Sequence, residues 1–497
     1  MVFRSNDNKK FYCLIILFLT LSTQSPTKTF SNPKSTLEEV YSWHLLKDSY
    51  GPTFAGNLSW QKYVELLEKE LTDNGVKSLT KDFFEYERWH TSNERNDHQW
   101  TLTVEGGQID VASYWAYSGF TGKTGVEGKL LYFNQDTPKD LIKGKIIVFD
   151  VGGLPNAFKR FSEISKHEYA TKDLHQIQDD DSTGDYWYQV NYVTRFAKLD
   201  EYLKDSGALG AVAILSMSPG RAEGIYTFPL IRPGIIGVPG LYVDRVNGNE
   251  LRDAALKGKY ANLKLLANVQ NSKAYFLSGF LPGKHFGEDK DQFILLTTHT
   301  DGPNLTQENG GLGIIKIIEQ INKIPISERN KTILIMLDPQ HFMPGRHSID
   351  WFNLHANLSS RIVSVLAVEH LGQMEYKDFG NQFRLSGTTD KTYIYSQDNQ
   401  NLIDQAIYSV EKHKIERTYV LCPDRGGQGP WTGMGNIAQK MKIPGYGIST
   451  SMSGYWSTKP GIESFSSELF MKQVDIMTDL TLYLMNANGE EIQIKGL

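Results

Sequence analysis

The amino-acid sequence predicts an α/β protein built on a mixed, mostly parallel twisted sheet flanked by helices. Three largely apolar runs rich in β-branched residues support this prediction, at residues 293–298, 332–337 and 361–368. Runs of this kind are typical of strands buried on both faces of a parallel sheet. Residues 311–321, between the first two runs, have the apolar spacing of a helix, so the segment is predicted to form strand, helix and strand.

Each of the three runs leads into polar side chains that can bind a metal or transfer a proton. The first is followed by His299 and Asp301, the second by His341, and the third by Glu369 and His370. Ligands of open α/β sheets bind outside the carboxyl ends of the strands. We therefore expect these side chains to share one site, and their mixture of imidazole and carboxylate indicates a metal centre.

The chain before the first run divides into two predicted parts. Residues 35–100 contain two helical patterns, of which residues 60–71 are clearly amphipathic, and are assigned to the main domain. Residues 101–271 change to short strands with turn signals and are predicted to form an inserted, β-rich lobe with its own strands. The main domain then continues over residues 272–497 and ends in a helix near residues 466–484.

Within the insertion, the predicted elements alternate between strands and one helix. A polar, acidic stretch at residues 165–190 is expected to be an exposed excursion rather than a core element. The helix is predicted at residues 197–205, and the strands are predicted at 144–149, 210–215 and 238–243.

Composition limits the class of protein. The chain has 497 residues, of which 40% are hydrophobic and 22% are charged, so it can bury a large core in more than one domain. A net charge of −5 without a basic patch gives no indication of nucleic-acid binding.

The first 25 residues are predicted to be a signal peptide. Basic residues precede an apolar run at residues 11–21, which is well short of the roughly 20 residues that a membrane-spanning helix needs. The expected location is therefore secreted or extracytoplasmic, with no membrane span once the signal is removed. An uncleaved anchor and a buried helix are the alternatives. Beyond this segment the chain keeps only Cys422, so no intramolecular disulfide is expected.

In these motifs the chain resembles the zinc exopeptidase family that includes leucyl aminopeptidase, glutamate carboxypeptidase and the transferrin receptor ectodomain. The resemblance is carried by His299-Thr-Asp301, by Glu308-Asn-Gly-Gly311 and by Glu369 at a strand end. Residues 206–215 and 236–243 resemble a protease-associated domain, which the family inserts into the peptidase domain. The resemblance implies the zinc aminopeptidase fold with such an insertion over residues 101–271.

The resemblance also implies which residues bind the metal and where this chain differs from the family. His299, Glu308 and Glu369 match the ligands of one zinc ion, and Asp301 matches the carboxylate that orients the first histidine. Phe342 and Trp456 stand where the private ligands of a second ion are expected, and neither side chain can bind a metal. We therefore expect about one zinc ion per chain.

The fourth position of this ion is left to water, His341 or His370. His341 aligns with the general base of the family, and it could instead be a ligand or a hydrogen-bonded core residue. His370 follows Glu369 directly, so strand alternation predicts that its side chain points to the opposite face.

The function implied by the resemblance is a metal-dependent hydrolase, most simply an exopeptidase that cleaves peptides or small amides with one metal-activated water. The alternatives are a non-catalytic binding protein, as in the transferrin receptor, and a single-zinc acyltransfer enzyme resembling glutaminyl cyclase. Three aromatic side chains are candidates for the substrate pocket and equally for the core: Trp431, Tyr455 and Trp456. We also consider a homodimer.

Overall fold

The computed structural model describes residues 33–92, 97–151, 164–174, 198–226, 234–345, 349–423, 431, 433–450 and 457–494. The helices in these ranges span Pro33–Asp48, Leu58–Asp73, Pro219–Ala222, Arg245–Leu256, Gly310–Ile321, Ile349–Leu354, Ala356–Ser359, Gln400–His413, Asn436–Met441 and Ser467–Asn486, and residues 198–205 are also helical. The helices predicted near both termini are confirmed. Within the described ranges, none of these helices is long and apolar enough to cross a membrane.

The strands are numbered in chain order. They are β1 Lys77–His90, β2 Trp100–Val104, β3 Gly107–Ile109, β4 Ser113–Tyr114, β5 Val126–Tyr132, β6 Lys145–Val151, β7 Ser165–Tyr169, β8 Gly210–Leu215, β9 Gly240–Val243, β10 Tyr260–Leu265, β11 Asn268–Leu281, β12 Phe293–His299, β13 Thr332–Asp338, β14 Ile362–Val368, β15 Met374–Phe379, β16 Gln382–Thr389, β17 Thr392–Ser396, β18 Thr418–Leu421 and β19 Gly445–Thr450.

The main sheet contains nine of the described strands, in the order β1-β11-β13-β12-β14-β19-β17-β18-β7. Its centre is parallel, since β12 pairs in parallel with β13 and β14, and β14 pairs in parallel with β19. Antiparallel pairs join β11 to β13 and β17 to β19. The predicted mixed sheet is therefore confirmed, with its parallel pairs concentrated at the centre and antiparallel pairs towards both edges.

The central strands are buried because both faces of the sheet are covered. Every residue of β12 and of β13 is buried. Along β12, Ile294 and Leu296 belong to one core cluster, whereas Phe293 and Leu295 belong to the cluster on the other face. The helix Gly310–Ile321 covers the first face and packs against β12, β14 and the C-terminal helix. Continuous apolar strands are the result of burial on both faces.

A second sheet is built from residues between Trp100 and Leu265. It contains eight described strands in the order β3-β2-β10-β5-β6-β8-β9-β4 and has its own hydrophobic core. The long strands β1 and β11 pair with each other over Lys77–His90 and lead from the main sheet to this second sheet.

One strand of the insertion differs from the expectation of a separate lobe. Strand β7, which lies at the start of the stretch expected to be an exposed excursion, pairs antiparallel with β18 and becomes the last strand of the main sheet. Its side chains are mostly half-buried. The polar sequence Ser165-Lys-His-Glu-Tyr169 gave no apolar signal for a strand because one face of an edge strand remains near water.

Candidate metal centre

Two adjacent parallel strands bring the central side chains together. Strand β12 ends at His299, and β14 ends at Val368, directly before Glu369 and His370. The two strands pair with Thr297 opposite Ala367, so both chains leave the sheet at the same edge. This edge is the carboxyl end of the parallel strands, where the sequence predicted the site.

His299, Glu369 and His370 form a compact group of metal-binding atoms. The Nε2 atoms of His299 and His370 lie 3.2 Å apart. Oε2 of Glu369 lies 3.8 Å from His299 Nε2 and 3.6 Å from His370 Nε2. All three side chains are buried, and they are the group of histidine, cysteine or acidic residues that could hold a metal in the described part of the chain.

His370 joins this group, although strand alternation placed it on the opposite face. Strand β14 has already ended at Val368, and His370 adopts a left-handed backbone conformation with φ of 56°. This conformation breaks the alternation of side-chain directions, which holds only within a strand. The other ring nitrogen, Nδ1, lies 2.9 Å from the hydroxyl of Ser449 on β19, which fixes the orientation of the ring.

Glu369 is a buried carboxylate that has no lysine or arginine beside it in the described part of the chain. Its Oε1 accepts a hydrogen bond from the backbone N–H of Met434, and its Oε2 has no hydrogen-bond partner among the same residues. Burial raises the pKa of Glu369 from 4.5 to about 8, against the lowering effect of that backbone hydrogen bond. A carboxylate in this environment is stabilised as the charged form only by a positive charge at Oε2.

The donor set fits a metal ion. Two imidazole nitrogens and one carboxylate oxygen are ligands that zinc prefers. Tetrahedral coordination with bonds of about 2.0–2.2 Å separates the donors by about 3.3–3.6 Å. The three separations of 3.2, 3.6 and 3.8 Å in the cluster are close to this value. His299, Glu369 and His370 would therefore hold the ion, with the unpartnered Oε2 as its carboxylate ligand.

Glu308, the third ligand implied by the sequence resemblance, lies outside the group. Its Oε1 accepts hydrogen bonds from Lys47 Nζ at 2.7 Å and from Thr53 Oγ1 at 2.6 Å. Lys47 and Glu308 are both buried, and Lys47 also lies 3.4 Å from the carbonyl oxygen of Asn304. Burial raises the pKa of Glu308, and the nearby ammonium of Lys47 opposes that rise. An ammonium group from the N-terminal helix thus neutralises this carboxylate.

Asp301 orients His299 through its backbone carbonyl and not, as the resemblance had implied, through its carboxylate. Its carboxylate accepts the backbone N–H groups of His341 at 3.0 Å and Phe342 at 2.6 Å. The group that faces Nδ1 of His299, at 2.8 Å, is the backbone carbonyl of Asp301. Burial raises the pKa of Asp301 well above its usual range. Asp301 therefore orients His299 through its main chain and fixes the turn after β13 through its side chain.

His341 and Phe342 line the side of the cluster that faces the insertion. The His341 ring stacks on His299 with centroids 4.0 Å apart and planes at 18°. His341 is not a member of the metal-binding group. Phe342 is buried in the core of the inserted sheet and lies 6.1 Å from the ring of Tyr226. An apolar contact between the two sheets thus occupies the position where the resemblance would place a ligand of a second metal ion.

The three aromatic candidates for substrate binding have different outcomes. Trp431 is buried in the core, with its ring 5.8 Å from that of Tyr395. This position makes Trp431 a packing residue, since the side chain has almost no exposed surface. Tyr455 and Trp456 lie outside the described residues.

Comparisons with solved structures give the fold. The chain superimposes on the zinc aminopeptidase BSAP from Bacillus subtilis with a TM-score of 0.61 at 14% identity, covering 92% of this chain and 98% of that one. It superimposes on the Peptidase M28 precursor from Shewanella amazonensis with a TM-score of 0.64 at 12% identity, covering 93% and 97%. For the aminopeptidase from Aneurinibacillus sp. strain AM-1 the TM-score is 0.57 at 13% identity, covering 93% and 96%.

This chain has the zinc aminopeptidase fold. The likeness extends over nearly the whole length of each of these neighbours, so it includes the inserted sheet as well as the main one. No family model matches the sequence, and no curated protein matches it.

Proposed function

We propose that the protein is a metal-dependent hydrolase that cleaves peptide or related amide bonds, most simply as an exopeptidase. The observation that carries this proposal is the buried carboxylate of Glu369, which has an unpartnered oxygen within 3.8 Å of two imidazole nitrogens. The solved structures with the same fold include zinc aminopeptidases, which supports zinc as the metal and peptides as the substrate class.

The residues around the centre have distinct roles in this proposal. A zinc ion held by His299, Glu369 and His370 would lower the pKa of a coordinated water from 15.7 to roughly 7 and polarise the substrate carbonyl. His341, stacked beside His299, would accept the proton from the attacking water and deliver it to the leaving amine. Asp301 holds the backbone of His341 in place, which positions this base.

The inserted domain would control access to the centre. Phe342 comes from the turn after β13, yet its side chain packs in the insertion's core, so the insertion lies directly against the site. Its resemblance to a protease-associated domain supports a role in substrate selection or partner contact. Export of the protein through the predicted signal peptide belongs to the same proposal.

Metal analysis combined with a substrate screen tests the proposed function. We expect purified protein to hold about one zinc ion per chain and to hydrolyse some members of a panel of aminoacyl, peptidyl and acyl amides. His299→Ala and Glu369→Ala should abolish both metal binding and hydrolysis, whereas His285→Ala, at a half-exposed histidine paired with Glu288, should change neither. Full metal content in both site variants would refute the proposed centre.

A second function is favoured by the Lys47–Glu308 ion pair and by Phe342. Both features replace polar, ligand-binding surface with neutralised or apolar groups. A binding protein that uses the metal to stabilise its structure, without turnover, would show this pattern. Metal retention with no hydrolysis across the whole amide panel would favour this function over the hydrolase.

A further inference from the structure

Gln307 lies next to the metal centre and has no role in the proposed chemistry so far. It belongs to the loop between β12 and the helix Gly310–Ile321, and its side chain is fully buried. Its Nε2 lies 3.5 Å from Nε2 of His370, which is one of the three metal-binding atoms. Among the described residues its Oε1 has no hydrogen-bond partner, so the contact with His370 is what the rest of the site offers to the carboxamide. The orientation of the carboxamide is therefore not fixed by a second partner, and either its nitrogen or its oxygen can face the metal-binding group.

The loop holds Gln307 firmly against the centre. The backbone N–H of Gln307 donates to Oδ1 of Asn304 at 3.2 Å, and Nδ2 of Asn304 donates to the carbonyl of Ser457 at 2.9 Å. A Cβ atom at Gly302 would lie 2.5 Å from Cγ of Gln307, so only glycine at position 302 leaves room for this side chain. The backbone of Gln307 is therefore held by a hydrogen bond and its side chain by packing, which keeps the carboxamide next to the centre.

The distance between the carboxamide and His370 fits metal coordination. A half turn of the carboxamide exchanges its oxygen and nitrogen, which occupy nearly equivalent positions. The oxygen would then lie about 3.5 Å from His370 Nε2, within the separation of about 3.3–3.6 Å between neighbouring donors of a tetrahedral site. We propose that the carboxamide oxygen of Gln307 is the fourth donor of the metal centre.

This assignment deepens the proposed function and rests on it, because both require the cation at His299, Glu369 and His370. Gln307 is neutral, so a divalent ion bound by these four side chains keeps a net charge of about +1 next to one carboxylate. The substrate carbonyl has the same chemistry as the Gln307 carbonyl. Gln307 would therefore hold the fourth position in the resting protein, and it would have to leave that position before the water of the proposed function could occupy it.

The experiment titrates Co²⁺ into the full-length, metal-free protein and records the visible absorption spectrum and the dissociation constant. Gln307→Met keeps the length of the side chain and removes the oxygen donor, so we expect Co²⁺ affinity to fall about tenfold or more, together with a changed spectrum. Gln307→Glu keeps an oxygen at the same place and should bind Co²⁺ at least as tightly as the wild type. Circular dichroism checks that each variant is folded.

Gln397→Met is the matched control, since Gln397 is another buried glutamine with an unpartnered Oε1, and it bonds to the carbonyl of Ala438. It should leave the Co²⁺ spectrum and affinity unchanged. A Gln307→Met protein that binds Co²⁺ like the wild type, or a Gln307→Glu protein that binds it more weakly, would overturn the assignment. Failure of the wild type to bind Co²⁺ would refute the metal centre itself, which separates the two failures.

Discussion

Two buried glutamates near the same edge of the sheet are neutralised in different ways. Glu308 is paired with Lys47, an ammonium supplied by the chain itself. Glu369 has two imidazoles nearby and an oxygen without a partner, and its pKa rises to about 8 because it is buried. The Oε2 atom of each glutamate lacks a hydrogen-bond partner among the described residues, so the difference lies in the cation. Glu308 has the ammonium of Lys47, whereas Glu369 has only the imidazoles of His299 and His370.

A third buried glutamate shows what full neutralisation by protein does. Glu375 accepts from Arg417 at 2.9 Å and lies 3.4 Å from Lys391 Nζ. Burial alone would raise the pKa of Glu375, but Lys391 and Arg417 together lower it to about 2. The pKa values of Glu375 and Glu369 differ in direction because cations surround only the first. This contrast supports the proposed metal at Glu369, which rests on the geometry of His299, Glu369 and His370.

Replacement of His341 gives the largest expected effect and tests the proposed metal centre at Glu369. If the imidazole is the base, His341→Ala should lower the hydrolytic rate by about 10²–10⁴-fold and leave the metal bound. The measurement is kcat on the best substrate of the amide panel, with metal content determined on the same sample. Loss of the metal together with activity would instead make His341 a ligand and would contradict its position outside the metal-binding group.

Replacement of Lys47 tests the ion pair at Glu308. Lys47→Met leaves the Glu308 carboxylate buried without its cation, so we expect the free energy of unfolding to fall by about 3–5 kcal/mol in urea denaturation. The double variant Lys47→Met, Glu308→Gln removes both charges and should recover much of this loss. Lys69→Met, at an exposed ion pair with Asp73, is the control and should change stability little. A double variant no more stable than Lys47→Met would show that the charge of Glu308 is not the cause.

A smaller effect on stability is expected when low pH protonates Glu375. Its pKa is lower in the folded protein, about 2, than the ordinary value of 4.5, so the folded state binds fewer protons in this range. The stability that Glu375 contributes is therefore complete above about pH 4.5 and is lost as the pH falls towards 2. Urea denaturation between pH 2 and 5 should show a Glu375→Gln variant with a weaker pH dependence than the wild type. Parallel curves for the two proteins would contradict the assignment.

The smallest effect is expected from replacing Trp431, which belongs neither to the ion pair at Glu308 nor to the proposed metal centre. Its ring packs in the core beside Tyr395, so Trp431→Phe should lower the free energy of unfolding only modestly, by about 1–2 kcal/mol. The KM for peptide amides should not change. A large rise in KM with unchanged stability would show that Trp431 contacts the substrate.

The sequence predicted the parts of the molecule that depend on local pattern. Continuous apolar runs identified β12, β13 and β14, and the parallel arrangement of these strands brought His299 and Glu369 together as expected. The orientation of His370 was predicted incorrectly because its positive φ leaves no trace in the residue type. Histidine is enriched among the non-glycine residues at left-handed positions, but such positions are uncommon, so the presence of a histidine does not predict one.

The partners of Glu308 and the role of Gln307 depend on contacts between distant segments. Lys47 is separated from Glu308 by 261 positions, and a lysine in the last turn of a helix has the sequence pattern of a surface residue. Gln307 directly precedes Glu308, and in the sequence the carboxylate of Glu308 is the more obvious candidate for a metal ligand. Burial of both side chains is a property of the folded chain, so no periodicity or spacing could have predicted it.

The pairing of β7 with β18 has a consequence for the order in which the protein folds. Residues 165–169 are held by residues 418–421, so the edge of the main sheet closes only after most of the polypeptide has left the ribosome. Contacts between such distant segments slow folding because a long loop must close first. A chain shortened by removing the insertion would also lose β7 and expose the unpaired backbone of β18, which is a template for aggregation. The insertion is therefore a constitutive part of the main sheet's boundary rather than a removable module.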